Sequence, residues 1–266
     1  MTLIQWAVSS SIFLFAGMLA CLEIGYRAGS RSAANHAELA HEGIGAMEAA
    51  VFALLGLLLG FSFGGGTSRL DARRQLIVQE ANAIGTAYLR LDLLPTDAQP
   101  EVRRLFREYF DVRLHVTEKL ADSKAAAAEL AHAEQLQRQI WSRATIASSA
   151  DPSHDASRLL LPALNEMIDV TTARTIALHT QLPPLIFALL ILVALLSSLL
   201  AGYGMAKRKR RSWLHMLLYA AAVASTVYVV LDLDNPRFGW IHLGEADSAL
   251  IRARDSIRSA EGSTSR

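Results

Sequence analysis

The stretch IGAMEAAVFALLGLLLGFSFGGG (residues 44–66), running without a proline into TSRLDARRQLIVQEANAIGTAYLRLDLLP (residues 67–95), decides the fold. A bilayer core of about 30 Å needs about 20 helical apolar residues. Ile44–Gly66 meets that length with a single charge, Glu48, and reads as a membrane span. Beyond it, Leu70, Ile77, Ile84 and Leu91 recur every seven residues, with Ala81 and Tyr88 at the intermediate i+4 positions. That spacing is a coiled-coil-like seam. Span and seam together predict one helix running out of the membrane to Leu94, where Pro95 ends it.

Three further apolar runs flank this helix: Leu3–Leu22 ended by Glu23, Pro183–Ala206, and Trp213–Leu231 stopped by Asp232 and Asp234. Between Leu185 and Leu200 the third span holds eight Leu, two Ile, one Val and one Phe, which favours insertion by about 4–7 kcal/mol. Pro183 and Pro184 suit a helical first turn. Met1–Leu22 carries no charge, so the positive start of a cleaved signal is missing and a retained helix is expected. The apolar share is 52% and the charged share 19%, a membrane-like balance. A net charge of +1 gives no sign of nucleic-acid binding. The lone Cys21 excludes an internal disulfide and reads as a packing residue. The expected fold is all-α: spans one and two in residues 1–66, a helical extramembrane domain over 67–182, spans three and four in 183–235, and a tail over 236–266.

Four spans place both termini and the 67–182 domain on one side. The short loops carry Arg27, Arg31 and the run Lys207–Arg211, and cytoplasmic loops are enriched in such residues. The charge bias therefore puts these loops in the cytoplasm and the large domain outside. Within that domain Asp97 can cap a helix with Pro100 and Glu101 in its first turn. The next break signal is Ala147–Ser157, with Pro152. A last helix is expected over Arg158–Gln181, and Ala125–Ala128 reads as plain helix.

At 100° per residue, Gly45, Ala49, Ala53, Gly56, Gly60 and Gly64 fall within about 100° of arc on the second span. Small residues let helix backbones approach, so this face is either a packing seam, within or between subunits, or the lining of a permeation path. Glu48 is the acidic residue of that span. An ionisable group there faces water or a partner: headgroups, Arg27, Arg31 or His215. Glu80 has Leu76, Ile77, Ala83 and Ile84 as helical neighbours, none able to pair with it. It is either solvated or meets another helix or subunit, with Arg73 or Arg74 of a neighbouring copy as candidates. Arg69, Arg73 and Arg74 could form a positive ring at one mouth of an oligomeric path. The Asp232–Pro236 segment starts like a calcium loop but has Pro236 at a ligand position. His36, Glu38, His41 and Glu42 are too loosely spaced for a metal, and no Walker or Rossmann pattern occurs. The residues point to no enzyme, cofactor or metal.

The segment from Leu54 to Phe63, followed by Arg69, Arg73, Arg74, Glu80, Asn82, Gly85, Tyr88 and Arg90 in their order, resembles a bacterial family of bestrophin-like membrane proteins. Leu231-Asp-Leu-Asp234-Asn-Pro236-Arg237-Phe-Gly239 resembles its C-terminal signature. The resemblance implies a bacterial inner-membrane protein and, through true bestrophins, a pentameric anion channel whose second span continues into a pore helix. It also implies a cytosolic large domain, opposite to the charge bias. The acidic calcium-clasp cluster of animal bestrophins is missing here. The expected partners are membrane lipid, ions and further copies of the chain. Two functions follow: a homo-oligomeric, anion-favouring channel, or a non-conducting sensor or scaffold that binds a partner through its helical domain.

Overall fold

The structure, a computed structural model, describes residues 3–35, 44–118, 123–150, 154–207, 212–234 and 248–255. Its regular elements are helical, with no strand among the described residues. They are α1 (Leu3–Asn35), α2 (Ile44–Leu89), a 3-10 turn (Arg90–Leu93), α3 (Gln99–Glu118), α4 (Ser123–Ser149), a π-helical turn (Ala156–Leu160), α5 (Leu161–His179), α6 (Pro184–Lys207) and α7 (Trp213–Asp234). Helices α1, α2, α6 and α7 are each long and apolar enough to cross a membrane, and the protein is an all-α membrane protein.

Several boundaries differ from expectation for physical reasons. Helix α1 passes Glu23, because Glu23 pairs with Arg27 one turn on at 2.8 Å and so does not act as a stop. Helix α2 ends at Leu89 rather than Leu94 and tightens into the 3-10 turn. Leu94 is extended (φ −77°, ψ 153°), as a residue before proline prefers. Ala98, not Asp97, precedes α3 and accepts the Val102 N–H. Two helices, α3 and α4, fill the interval read as one helical stretch before Ala147. Helix α7 includes Asp232 and Asp234 instead of stopping before them, with both side chains buried. Pro152, the metal candidates His36, Glu38, His41 and Glu42, the loop from Arg208 to Arg211, and Pro236, Arg237 and Gly239 lie outside the described residues.

The chain forms two compact units, one of residues 1–70 with 181–242 and one of residues 71–180 with 243–266. In the first, Leu14, Met18 and Leu22 of α1, Leu190, Val193 and Ala194 of α6, and Met216, Ala220 and Val227 of α7 form a common apolar core. The closest approach is between α1 and α6. A Cβ at Gly25 would overlap the Leu199 carbonyl oxygen, and one at Gly202 would overlap that of Leu22. At Gly29 a Cβ would lie 2.7 Å from the Tyr203 oxygen. In a bilayer such contact replaces the hydrophobic drive that lipid removes. Ser197 Oγ and the Tyr219 hydroxyl, 2.7 Å apart, link α6 to α7.

The second unit packs α3 and α4 side by side and buries Ile77, Ile84, Leu91, Phe106, Phe110, Ile140, Leu160 and Leu164 to 1% exposure or less. The heptad residues Leu70, Ile77, Ile84 and Leu91 are all buried within the one chain, at 5%, 1%, 0% and 0% exposure. The coiled-coil-like seam is therefore filled from inside the chain. Its period of seven reflects burial against neighbouring helices, which uses the same apolar spacing as a coiled coil.

The α1–α6 contact makes a testable prediction. Gly202→Ala drives a Cβ into the Leu22 backbone and should cost about 1–3 kcal/mol, the usual penalty of overpacking. Thermal unfolding of the purified protein in detergent measures it, and an unchanged midpoint would show that the two backbones are not in contact.

Candidate functional site

In the second unit, three helices bring charge into a closed interior. Glu80 of α2 has no solvent exposure, Arg113 of α3 has 2% and Arg174 of α5 has 3%. Arg113 Nε donates to Glu80 Oε1 at 2.6 Å, and Arg174 Nη1 donates to Glu80 Oε2. Burial by itself would raise the Glu80 pKa, but the two guanidinium charges and their hydrogen bonds outweigh it and hold the carboxyl below its ordinary value. A second layer brings in α4. Gln137 Nε2 donates to the Tyr109 hydroxyl at 3.0 Å, Tyr109 and Thr171 lie 2.9 Å apart, and Thr171 donates to the Met167 carbonyl at 2.8 Å. Because the Thr171 hydrogen is used there, Tyr109 is the donor to Thr171. Burial pushes the Tyr109 phenol above its ordinary pKa and keeps it a neutral donor.

Glu80 is thus neither solvated nor paired with Arg73 or Arg74 of a neighbouring copy. Arg73, itself 4% exposed, donates to the carbonyls of Ala177 and Thr180 at 3.1 and 2.7 Å, satisfying acceptors at the C-terminal end of α5. Arg74 is exposed and lies 3.5 Å from Asp71. Tyr88 is buried edge-on to Phe106 at 5.9 Å with the Arg103 guanidinium 5.0 Å from its ring. Arg90 donates to the Leu159 carbonyl at 2.7 Å, within the π-helical turn. Asn82 is exposed and a Cβ at Gly85 would meet nothing within 4 Å.

In the first unit, α2 turns Leu55, Ser62 and Gly66 toward its own chain, about 130° around the helix from the centre of the glycine face. Gly45, Ala49, Ala53, Gly56, Gly60 and Gly64 are all exposed. A Cβ at Gly45, Gly56, Gly60 or Gly64 would meet nothing within 4 Å. Among the described residues, nothing of the same subunit packs on these four glycines. Arg69 points the other way and gives Asp234 Oδ1 two hydrogen bonds, at 2.8 Å from Nε and 2.6 Å from Nη2. Asp234 Oδ2 accepts the Leu182 N–H at 3.0 Å. On the helical wheel Arg69 and Arg73 lie about 130–170° from the glycine face and Arg74 about 30°. The three therefore do not form one ring. Glu48 rests its carboxylate over Gly204, where a Cβ would come within 2.9 Å of it. It is not brought to Arg27, which holds Glu23, or to His215, whose Nδ1 lies 2.6 Å from Ser212 Oγ.

Sequence reading missed Arg113, Arg174, Tyr109, Thr171, Gln137 and the partner of Arg69. A signal was present. Val102, Phe106, Tyr109, Arg113 and Val116 share one stripe of α3, and Leu160, Leu164, Met167, Thr171 and Arg174 one stripe leading through α5. An arginine in core register requires a buried acid.

Glu80→Ala should cost about 3–5 kcal/mol at pH 7, since it strands two buried guanidiniums. The pH dependence fixes the cause. A depressed carboxyl pKa contributes stability that is full above the unfolded value of about 4.3 and is lost as pH falls through the folded value, because there the unfolded state binds more protons. The gap between wild type and variant should therefore begin to narrow below about pH 4 and go on closing as pH falls through the lower folded value. Denaturation followed from pH 7 to 2 tests it; a gap that persists at the acid end would assign the loss to packing instead.

A family model for the bestrophin-like domain matches residues 13–241. Among solved structures the chain is similar to a tryptophan-to-alanine variant of a bacterial bestrophin homologue from Klebsiella pneumoniae, at 17% identity and TM-score 0.63, covering 94% of this chain and 97% of that one. That likeness is one of fold. A search of curated proteins finds no match. With the family model spanning most of its length, the chain belongs to the bestrophin-like family.

Proposed function

We propose that the protein is a homo-oligomeric ion channel whose path runs along the glycine face of α2. The observation that carries this reading is the open space beside Gly45, Gly56, Gly60 and Gly64. A membrane helix keeps small residues where another backbone, or a path, comes close, and among the described residues the subunit supplies no such backbone. Further copies arranged around α2 would. Membership of the bestrophin-like family supports the same reading, and pentameric assembly is the expectation it brings.

Such a path is neutral and lined by backbone and small side chains, so selectivity falls to charges at its ends. An anion preference rests on Lys207–Arg211 and Arg74, since Arg69 and Arg73 are engaged by Asp234 and by carbonyls. Conduction with cation preference would remove the selectivity part of the proposal and leave the channel. The alternative, a non-conducting scaffold, draws on Trp141, Ile146 and Ile176, apolar side chains of the second unit that are 37%, 64% and 63% exposed.

Gly60→Leu separates lining from seam. As a lining residue it should leave assembly intact and reduce flux at least tenfold, because every copy adds bulk to the axis. As a seam it should abolish assembly. Chloride and potassium flux in proteoliposomes is measured beside oligomer mass in the same preparation. Wild-type protein that assembles and passes no ion at any tested pH or voltage would sink the channel and favour the scaffold.

For sidedness we propose an inner-membrane protein with Lys207–Arg211 cytoplasmic and the large domain and termini opposite, on the charge bias alone. With Cys21→Ala as background, Asp97→Cys should react with a membrane-impermeant thiol reagent in intact cells. Labelling only after permeabilisation would reverse the orientation and agree with the cytosolic domain of true bestrophins.

A further inference from the structure

Three consecutive glycines, Gly64–Gly66, lie in the middle of the 46-residue helix α2. Each glycine inside a helix is about 1 kcal/mol less favourable than alanine, so this is the weakest stretch of α2. Thr67 just beyond it bonds back to the carbonyls of Phe63 and Gly64, at 3.2 and 2.9 Å, an arrangement that bends helices. On one side the weak stretch is anchored. A Cβ at Gly66 would lie 3.2 Å from Leu233 Cβ, and Arg69 is clasped by Asp234.

The placement of Asp234 is unusual. It is the last residue of α7, where the helix dipole disfavours an anion. Its other oxygen accepts the N–H of Leu182, two residues before α6. Arg69 of α2 and the Leu182 amide both hold the carboxylate. Burial of Asp234 to 5% exposure makes loss of either partner costly.

We propose that Gly64–Gly66 is a bending point in α2 and that the Arg69–Asp234–Leu182 clasp holds it in one position, so that release of the clasp regulates the width of the path along α2. The regulatory half rests on the channel reading; the bending half does not. Gly64 and Gly65 can be tested directly. A Cβ at Gly64 meets nothing within 4 Å, and one at Gly65 would lie 3.2 Å from Arg69 Nη1, a contact that a shift of a few tenths of an ångström at the side-chain end relieves. Alanine therefore fits at both and stiffens the helix.

The experiment is amide hydrogen exchange on the full chain in liposomes, with ion flux measured on the same samples. Asp234→Asn should speed exchange over residues 61–69 about tenfold, leaving peptides from the middles of α1 and α6 unchanged. The double variant Gly64→Ala/Gly65→Ala should slow the same segment about tenfold, and the two should shift flux in opposite directions. Equal acceleration in α1 and α6 would mean that the clasp holds the whole bundle, which overturns the proposal. So would unchanged exchange in the alanine variant. Wild type that passes no ion while both exchange shifts appear would end the channel reading and leave the bending point standing. Wild type that conducts with neither shift would do the reverse.

Discussion

A single carboxylate shared by two guanidiniums fixes the helical unit. Glu80, Arg113 and Arg174 come from α2, α3 and α5 and are closed off from water. An ion sealed in a low-dielectric interior is tolerated only when partnered, so each of the three helices is held in rotation as well as position. Apolar packing alone leaves such rotations degenerate, since leucine and isoleucine accept many neighbours. The layer above, from Gln137 through Tyr109 and Thr171 to the Met167 carbonyl, extends the same constraint to α4.

Much of the fold was legible because its strongest determinants are local. Runs of twenty apolar residues, the paired prolines where α6 begins and the proline after Leu94 act within a few residues, and α1, α2, α6 and α7 follow them. What was not legible is long-range. The heptad Leu70, Ile77, Ile84 and Leu91 marks a buried stripe, but spacing does not say whether the cover comes from the same chain or another copy. Glu80 was recognisable as needing a partner. Choosing Arg113 and Arg174 required seeing that those arginines interrupt apolar stripes on two other helices. Arg69 and Arg73, four apart, share a sign and suggest a common mouth, whereas each answers to a different acceptor.

Glycine has two uses in this bundle. At Gly25, Gly29 and Gly202 the missing side chain is filled by another backbone, and α1 and α6 become a close pair. At Gly45, Gly56, Gly60 and Gly64 it is filled by nothing among the described residues. The same residue at nearly the same spacing gives an internal weld on one helix and an open strip on another. The difference is the partner: α6 brings Leu199, Gly202 and Tyr203 against α1, while among the described residues nothing comes within 4 Å of a Cβ at the glycines on that side of α2. The small-residue pattern announces closeness in both cases without naming what comes close.

The π-helical turn at Ala156–Leu160 has a consequence for how chain length can vary. Such a turn holds one residue more than an α-helical turn, and the Leu159 carbonyl within it accepts from Arg90. A deletion inside α5 would rotate everything after it by about 100° and carry Arg174 away from Glu80. A deletion within the π turn would be absorbed by conversion to α geometry, leaving α5 in register. Insertions and deletions in related chains should therefore collect at this turn, where the spacing between the helical unit's two ends can change by a residue without disturbing the buried charges.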